Sequence, residues 1–264
     1  GDPQEGIDQL KEVHSQGKSV EFTPSDEISS DVWTVCPFLM GSIAPKTEET
    51  RRKMKQLDLD EVVFDSIQAE SIRRHEENTG KDIGAVVPIE LGGYNTPGAV
   101  AAAVRLGIPV VDGDYTGRAI PEIPQTTPYL NDLPLLPITS VDKYGNIAEI
   151  KESTGYEMAE RMGKFLAASS FGLAGQAGFL FQGSDMSDVV VEGTLSRCLE
   201  IGKTIRTARE AGDDPVKEIV SKLNGWLLFE GKVSDKDDDD REGYYWGTHT
   251  ISGEKEFSGH EFKI

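Results

Sequence analysis

The chain has 264 residues and a mass of 28.8 kDa, long enough to bury a sizeable core as one large or two small domains. Lys and Arg total 27 against 46 Asp and Glu, a formal net charge of −19. A field of that sign repels nucleic-acid phosphates and anionic lipid headgroups, so neither nucleic acid nor a membrane surface is an expected partner. No apolar run approaches the ~20 residues that span a bilayer. No basic-then-apolar leader opens the chain. Two cysteines, Cys36 and Cys198, make no disulfide framework and fit a cytoplasmic location.

Pro3 to Gln16 reads as a polar helix stopped by Gly17, and Ser19 to Thr23 as a short strand. Asp31 to Met40 carries Val32, Trp33, Val35, Phe38 and Leu39 and reads as a strand ending near Pro37. Ile43 to Thr50 is loop-like. Phe64 to Asn78 has helical spacing and ends at Thr79-Gly80.

Ile83 to Glu90 is a nearly continuous apolar run, the pattern of a strand buried on both faces. Gly92-Gly93 turns the chain, and Asn95 or Thr96 is placed to cap a helix over Gly98 to Leu106 that Gly107 ends. Pro109 to Asp114 is the next buried strand. From Ile83 to Asp114 the unit spans 32 residues, the size of a right-handed parallel crossover.

The loop from Tyr115 to Pro134 is long for a connector, and such loops carry function more often than not. Leu135 to Val141 and Ile147 to Ile150 flank a hairpin turn at Asp142 to Asn146. Ser153 to Ala168 reads as an amphipathic helix and Ala177 to Phe181 as a strand. Thr194 to Ala211 and Pro215 to Leu223 read as helices, the second capped by Asp213 or Asp214. Trp226 to Val233, Tyr244 to Ile251 and Glu256 to Ile264 read as strands of an antiparallel sheet packed through their aromatics. The acidic run Asp235 to Gly243 lacks the ligand spacing of a calcium loop and reads as a solvated hairpin tip.

The expected fold is α/β (α+β overall). Residues 1–133 form a layered domain with a parallel β-α-β core, and residues 134–264 a mixed domain of helices and antiparallel strands.

Four acids gather around the crossover: Glu90, Asp112, Asp114 and Glu122. In open parallel sheets ligands bind beyond the carboxyl ends of the strands, where Glu90, Asp112 and Asp114 fall. Spacing by two puts Asp112 and Asp114 on one face if the strand persists. Carboxylates crowded in a sheltered cleft split their pKa values, so one serves as base and another as acid. The alternative is that they cap amides or pair with Arg118. The amides of Gly92 and Gly93 suit an anion or a polarised carbonyl, or only a tight turn. Arg118 either clamps a carboxylate or pairs with Glu122. Three carboxylates can also hold a divalent cation. The scattered histidines have no ligand spacing. Cys36 reads as a small buried residue or an exposed nucleophile, and Cys198 as core.

The segment AVVPIELGGYNTPGAVAAAVRLGIPVVDGDYTGRAIPEIPQTT (Ala85 to Thr127) resembles the S-methyl thiohydantoin desulfurase family, often encoded beside or fused to hydantoinase and oxoprolinase subunits. GDP at Gly1 to Pro3, DKYGN at Asp142 to Asn146, EGTLSRCLEIGKTIR at Glu192 to Arg206 and LLFEGKV at Leu227 to Val233 agree. The resemblance covers nearly the whole chain and implies a two-domain protein trimmed at both ends. Tyr115-Thr116 stands where the family favours Gly-Met, a change expected to reshape the pocket.

The resemblance implies a hydrolase that removes methanethiol from an S-methyl thiohydantoin to give a hydantoin. Asp112 or Asp114 would be the base, and Glu90 or Glu122 would orient or protonate the ring. Arg118 with Gly92 and Gly93 would bind an anionic group, and Asn95, Gln125, Thr126 and Thr127 would complete the substrate site. A small cyclic ureide or thioureide substrate is implied; a homo-oligomer is expected, and the sequence itself requires no cofactor, though a divalent metal has room among the carboxylates. The rival readings are a non-catalytic subunit of a hydantoinase-type enzyme and a binding module for small ureides.

Overall fold

The computed structural model describes residues 3–42, 46–59, 61–241 and 244–264. It divides into two compact units, Gly1–Leu195 and Ser196–Ile264. The first unit opens with α1 (Pro3–Ser15), β1 (Phe22–Thr23), β2 (Trp33–Gly41), α2 (Glu48–Gln56) and α3 (Ile67–Thr79). The crossover follows as β3 (Ile83–Val86), α4 (Asn95–Leu106) and β4 (Val110–Val111), then β5 (Gly113–Asp114) and α5 (Thr127–Leu130). The remaining elements are β6 (Ile138–Val141), β7 (Ile147–Ile150), α6 (Tyr156–Ser169), β8 (Leu173–Gln182), α7 (Met186–Val189) and β9 (Val191–Glu192).

These strands build a mixed sheet in the order β1-β4-β3-β2-β8-β6-β7. The pairs β1/β4, β4/β3 and β3/β2 are parallel, and β2/β8, β8/β6 and β6/β7 antiparallel. The α/β class and the β-α-β core expected from the sequence are therefore present. Strand alternation splits the core in two. On one face Cys36, Phe38 and Met40 of β2 pack with Phe179, Phe181 and the α6 residues Ala159 and Ala167. On the other, Val35, Val86 and Val110 pack with Ala69 and Ile72 of α3 and with Ala99, Ala102 and Ala103 of α4.

Local chemistry sets the helix ends. Ser66 Oγ accepts from the Ala69 amide at the start of α3 (3.3 Å), and Gly80 ends the helix at φ +66°. Gly107 closes α4 in the same way at φ +73°. Asn95 and Thr96 do not cap α4 as expected: the residue before the helix is Tyr94, which supplies no side-chain acceptor.

Three further expectations are corrected. The strand containing Pro37 does not stop there. From Val35 onward the odd residues of β2 face the side that β3 has vacated, where Gln68 donates to the Pro37 carbonyl (3.4 Å), so the missing amide breaks no ladder bond. The strand expected over Pro109 to Asp114 breaks at Asp112: β4 stays in the main sheet, while β5 pairs antiparallel with β9. Asp112 and Asp114 therefore do not share one strand face. Part of the loop-like segment is α2, whose Thr47 Oγ1 accepts from the Thr50 amide (3.1 Å); Ile43–Pro45 lie outside the described residues.

The hairpin turn at Asp142 forms as expected. Its carboxylate accepts from the Tyr144 and Asn146 amides, Asn146 Nδ2 and Ser170 Oγ at 2.8 to 3.0 Å.

The second unit contains most of α8 (Thr194–Ala211), then α9 (Pro215–Lys222), β10 (Gly231–Arg241), β11 (Tyr244–Gly253) and β12 (Glu261–Lys263). Asp214 caps α9 by accepting from the Val216 amide (2.9 Å). The strands form one antiparallel sheet, β10-β11-β12. Trp226 to Glu230 is not strand, and Phe229 packs on Phe257 and Phe262 at ring distances of 4.9 and 5.4 Å. The acidic run is corrected most: Asp235 to Arg241 is strand, paired in register with Thr250 to Tyr244. Its partner β11, rich in aromatic and β-branched residues, supplies the strand propensity that aspartates lack. Glu242 and Gly243 lie outside the described residues. Cys198, expected in the core, is exposed on α8.

Candidate active site at the carboxyl edge of the sheet

The parallel strands β2, β3 and β4 end on the same edge, which carries Leu39, Glu90, Gly92, Gly93 and Asp112. Glu90 is half-buried there and bonded on both oxygens. Asn95 Nδ2 donates to Oε1 (2.9 Å), and the Ile120 amide to Oε2 (2.7 Å). Thr96 Oγ1 donates to the Glu90 carbonyl (2.6 Å) and accepts from the Gly92 amide (2.8 Å). That amide is thus turned into the loop's own hydrogen bonding. Gly93 packs close to α1, where a Cβ on Gly6 would fall 2.2 Å from the Gly93 carbonyl oxygen.

Asn95 joins Glu90 to the other layer. Its Oδ1 accepts from the Leu39 amide (3.0 Å) and from Gln68 Nε2 (3.3 Å). Gln68 and Leu39 in turn line a hollow of about 290 Å³, with Tyr94, Phe64, Glu12 and Lys143 among its other walls. Carboxylates from α1 dominate that rim, with Lys143 as the cation.

Asp114 is fully buried. Thr194 Oγ1 donates to Oδ1 (2.7 Å), Thr116 Oγ1 to Oδ2 (2.9 Å), and the Thr116 and Gly117 amides to Oδ2 at 3.2 and 3.0 Å. Burial raises its pKa above the ordinary carboxylate value, and these donors pull the other way. Cys36, fully buried, has its thiol pushed well up, by burial first and then by the negative charges of Asp114 and Glu90. A thiol so placed is not the activated nucleophile that one reading of Cys36 required. Asp112 is half-buried, and its backbone is clamped at the strand break: its amide donates to the Thr23 carbonyl and its carbonyl accepts from the Gly193 amide, both at 2.7 Å.

The long loop folds on itself. Arg118 is exposed and donates Nε to the Ala119 carbonyl (2.9 Å). Glu122 is half-buried and raises the pKa of Glu160, for which burial is the larger cause. Gln125 is exposed. Thr126 is buried and donates to the Ile123 carbonyl (2.9 Å). Thr127 donates from N (2.8 Å) and Oγ1 (3.2 Å) to the Tyr115 carbonyl, and also from Oγ1 to the Val189 carbonyl. Tyr115 is fully buried beside Phe179 and Phe181, with ring centroids 5.5 and 6.2 Å away, so it fills core and does not line an open pocket. Phe179 reaches this cluster from a bulge in β8, where its φ is +53°.

Among the described residues no three His, Cys, Asp or Glu side chains are grouped to hold a metal ion, so the cation site that three carboxylates could have made is not formed there. Thr194 and Gln68 were not singled out from the sequence. Both meet the site through contacts between distant segments, which no local pattern announces.

Family models match the whole length: the S-Me-THD-like N-terminal domain over residues 1–152, and the S-Me-THD-like C-terminal domain over residues 154–264. The chain belongs to the S-Me-THD-like family. This bears out the resemblance to the S-methyl thiohydantoin desulfurases. A crystal structure of a protein from Chromobacterium violaceum shares the fold at a TM-score of 0.67 and 20% identity, over 93% of this chain. This chain spans 62% of that protein's length. No curated protein matches. Among the described residues no helix is long and apolar enough to cross a membrane.

Proposed function

We propose that this chain hydrolyses an S-methyl thiohydantoin-type ring to the hydantoin with release of methanethiol, at the sheet edge around Glu90. Family membership supports the reaction class. One observation supports the location: Glu90 is linked through Asn95 to Gln68 in the wall of the 290 Å³ hollow, and its other oxygen holds the loop that carries Arg118.

The ring carbon bearing sulfur lies between two nitrogens and is the electrophile. Water adds to it as Glu90 takes one water proton. Two bonded donors leave lone pairs on this carboxylate for that water. The ring nitrogen takes the C=N electron pair in the tetrahedral adduct, which collapses with cleavage of the carbon–sulfur bond; Glu90 returns its proton to sulfur and the adduct's hydroxyl proton passes to that nitrogen, giving methanethiol and a ring carbonyl beside an N–H. Asp112 is the second accessible carboxylate at the edge. Arg118 receives an anionic substituent of the ring. Asp114, sealed by its donors, positions the loop.

The test is thiol release from S-methyl thiohydantoins by the purified protein alone. Glu90→Gln should lower turnover at least ~100-fold with the fold intact, the lower range for acid–base catalysis. Full turnover in that variant removes Glu90 from the reaction. Release only when a hydantoinase-type protein is added supports the subunit reading instead.

A further inference from the structure

We propose that the hollow of about 290 Å³ beside α1 binds a primary ammonium group, with Gln68 as its hydrogen-bond acceptor and Glu5 and Asp65 as its counter-charges. The site goes beyond the desulfurase reading, and amine binding can be measured without that reaction.

Gln68 points to a ligand that donates. It is 2% exposed and stands in the wall of the hollow. Its Nε2 donates to the carbonyls of Pro37 (3.4 Å) and Asn95 (3.3 Å) and to Asn95 Oδ1 (3.3 Å). Carbonyl oxygens only accept, and Asn95 Oδ1 is fixed as an acceptor by the Leu39 amide that donates to it (3.0 Å). The Gln68 amide therefore has one orientation, and its Oε1 faces away from these partners. There it accepts from no described residue. A Cβ on Gly98 would fall 1.9 Å from this oxygen and 3.2 Å from Gln9 Oε1. Glycine at 98 thus leaves the oxygen its room, and the neighbour it meets there, Gln9 of the same wall, offers a second acceptor. A buried acceptor without a donor is costly, and a ligand N–H removes that cost.

The walls set the charge of that ligand. Glu5, Asp8 and Glu12 follow helical spacing along one face of α1, and Asp65 stands in the wall with them. Glu12 is paired with Arg105 (2.6 Å), and Asp8 accepts from Gln4 Nε2 (2.8 Å). Glu5 and Asp65 are exposed and pair with no described residue. Lys143, the cation of the wall, has its Nζ 5.1 Å from the Tyr144 ring centroid and makes no ion pair with a described carboxylate. Two negative charges therefore face the hollow without a counter-ion. The rings of Phe64 and Tyr94 also line it, and aromatic rings attract ammonium groups. Leu39 and Ile67 suit an alkyl chain better than a hydrated metal ion, and the described residues hold no three-ligand metal group. An alkylammonium with N–H donors meets all of these walls at once.

The experiment is isothermal titration calorimetry on the whole chain with n-butylammonium, tetramethylammonium and n-butanol. n-Butylammonium should bind with a dissociation constant in the millimolar range or tighter, and more weakly as salt rises. Tetramethylammonium has the charge but no N–H, and n-butanol has a donor but no charge. Both should bind at least about tenfold more weakly. Gln68→Met keeps the volume and removes the acceptor, and should weaken n-butylammonium at least about tenfold. Glu5→Gln with Asp65→Asn, both at exposed positions, should weaken it at least about threefold. Circular dichroism verifies folding, and the exposed pair carries the test if Gln68→Met does not fold. Binding by a protein that releases no thiol supports this site and counts against the proposed reaction. No binding of n-butylammonium overturns the site. So does equal binding of tetramethylammonium or n-butanol, or an affinity that neither variant lowers.

Discussion

Glu90 and Asp114 hold the same loop from opposite ends. Asp114 receives the Thr116 and Gly117 amides at its start, and Glu90 receives the Ile120 amide at its finish (2.7 Å). Between them the Arg118 carbonyl accepts from Thr116 Oγ1 (2.6 Å) and the Leu91 amide (3.1 Å). Two acids from either end of the crossover thus fix the backbone that carries Arg118.

Asp114→Asn should loosen that loop. The amide nitrogen it introduces faces backbone donors, and a buried donor left unsatisfied costs about 1 to 3 kcal/mol. Thr194→Val should act in the same direction, since it removes the 2.7 Å bond to Oδ1. In a thiol-release assay both variants should raise KM more than Glu90→Gln does, because they displace Arg118 without touching the attacking water. Urea unfolding measures the stability loss. Unchanged KM in both variants would show that the loop does not position substrate.

His75 should make the fold acid-sensitive. It is fully buried, with Nδ1 3.0 Å from Thr139 Oγ1, and burial lowers its pKa from 6.5 to about 4 against a smaller upward pull from Glu149. As pH falls below 6.5 the unfolded chain takes up this proton and the folded chain does not, so stability declines down to about pH 4. The loss should reach about 2 kcal/mol by pH 5. Urea midpoints at pH 7 and pH 5 should differ accordingly, and His75→Gln should remove that part of the difference.

Two glycines should respond with opposite sign. A Cβ on Gly175 of β8 would stand 2.4 Å from the Ile67 carbonyl oxygen, so Gly175→Ala forces α3 off the sheet. Overpacking of that kind costs about 1 to 3 kcal/mol. A Cβ on Gly202 of α8 meets nothing within 4 Å, and Gly202→Ala should stabilise the helix by up to about 1 kcal/mol. Thermal unfolding of the pair distinguishes them.

The cysteines should differ in reactivity. Cys36 is buried with its thiol pushed up, whereas Cys198 is exposed. Native protein should take up one equivalent of iodoacetamide quickly and the second only in denaturant. Peptide mass mapping assigns the first label to Cys198. Rapid labelling of Cys36 would mean that the core face of β2 opens in solution.

Elements written in local chemistry could be read along the chain. Gly17, Gly80 and Gly107 end helices at positive φ, Asp214 caps α9, and the apolar runs around α4 form the crossover. Each depends on residues within a few positions of one another, so propensity, capping and periodicity suffice. The strand break at Asp112, the strand through Asp235 to Arg241 and the continuation of β2 past Pro37 could not be read that way. They depend on which segment lies alongside: β9 for Asp114, β11 for the aspartates, and the vacated edge beside β2 for Pro37. The candidate site divides the same way. Glu90 and Asp114 stood out as strand-end acids and Asn95 lies only five residues from Glu90, but Gln68 and Thr194 join the site only when chain segments up to 80 residues apart are folded together. Those contacts also bury Asp114 and leave Glu90 within reach of water, a distinction that depends on neighbours from other segments and not on residue type.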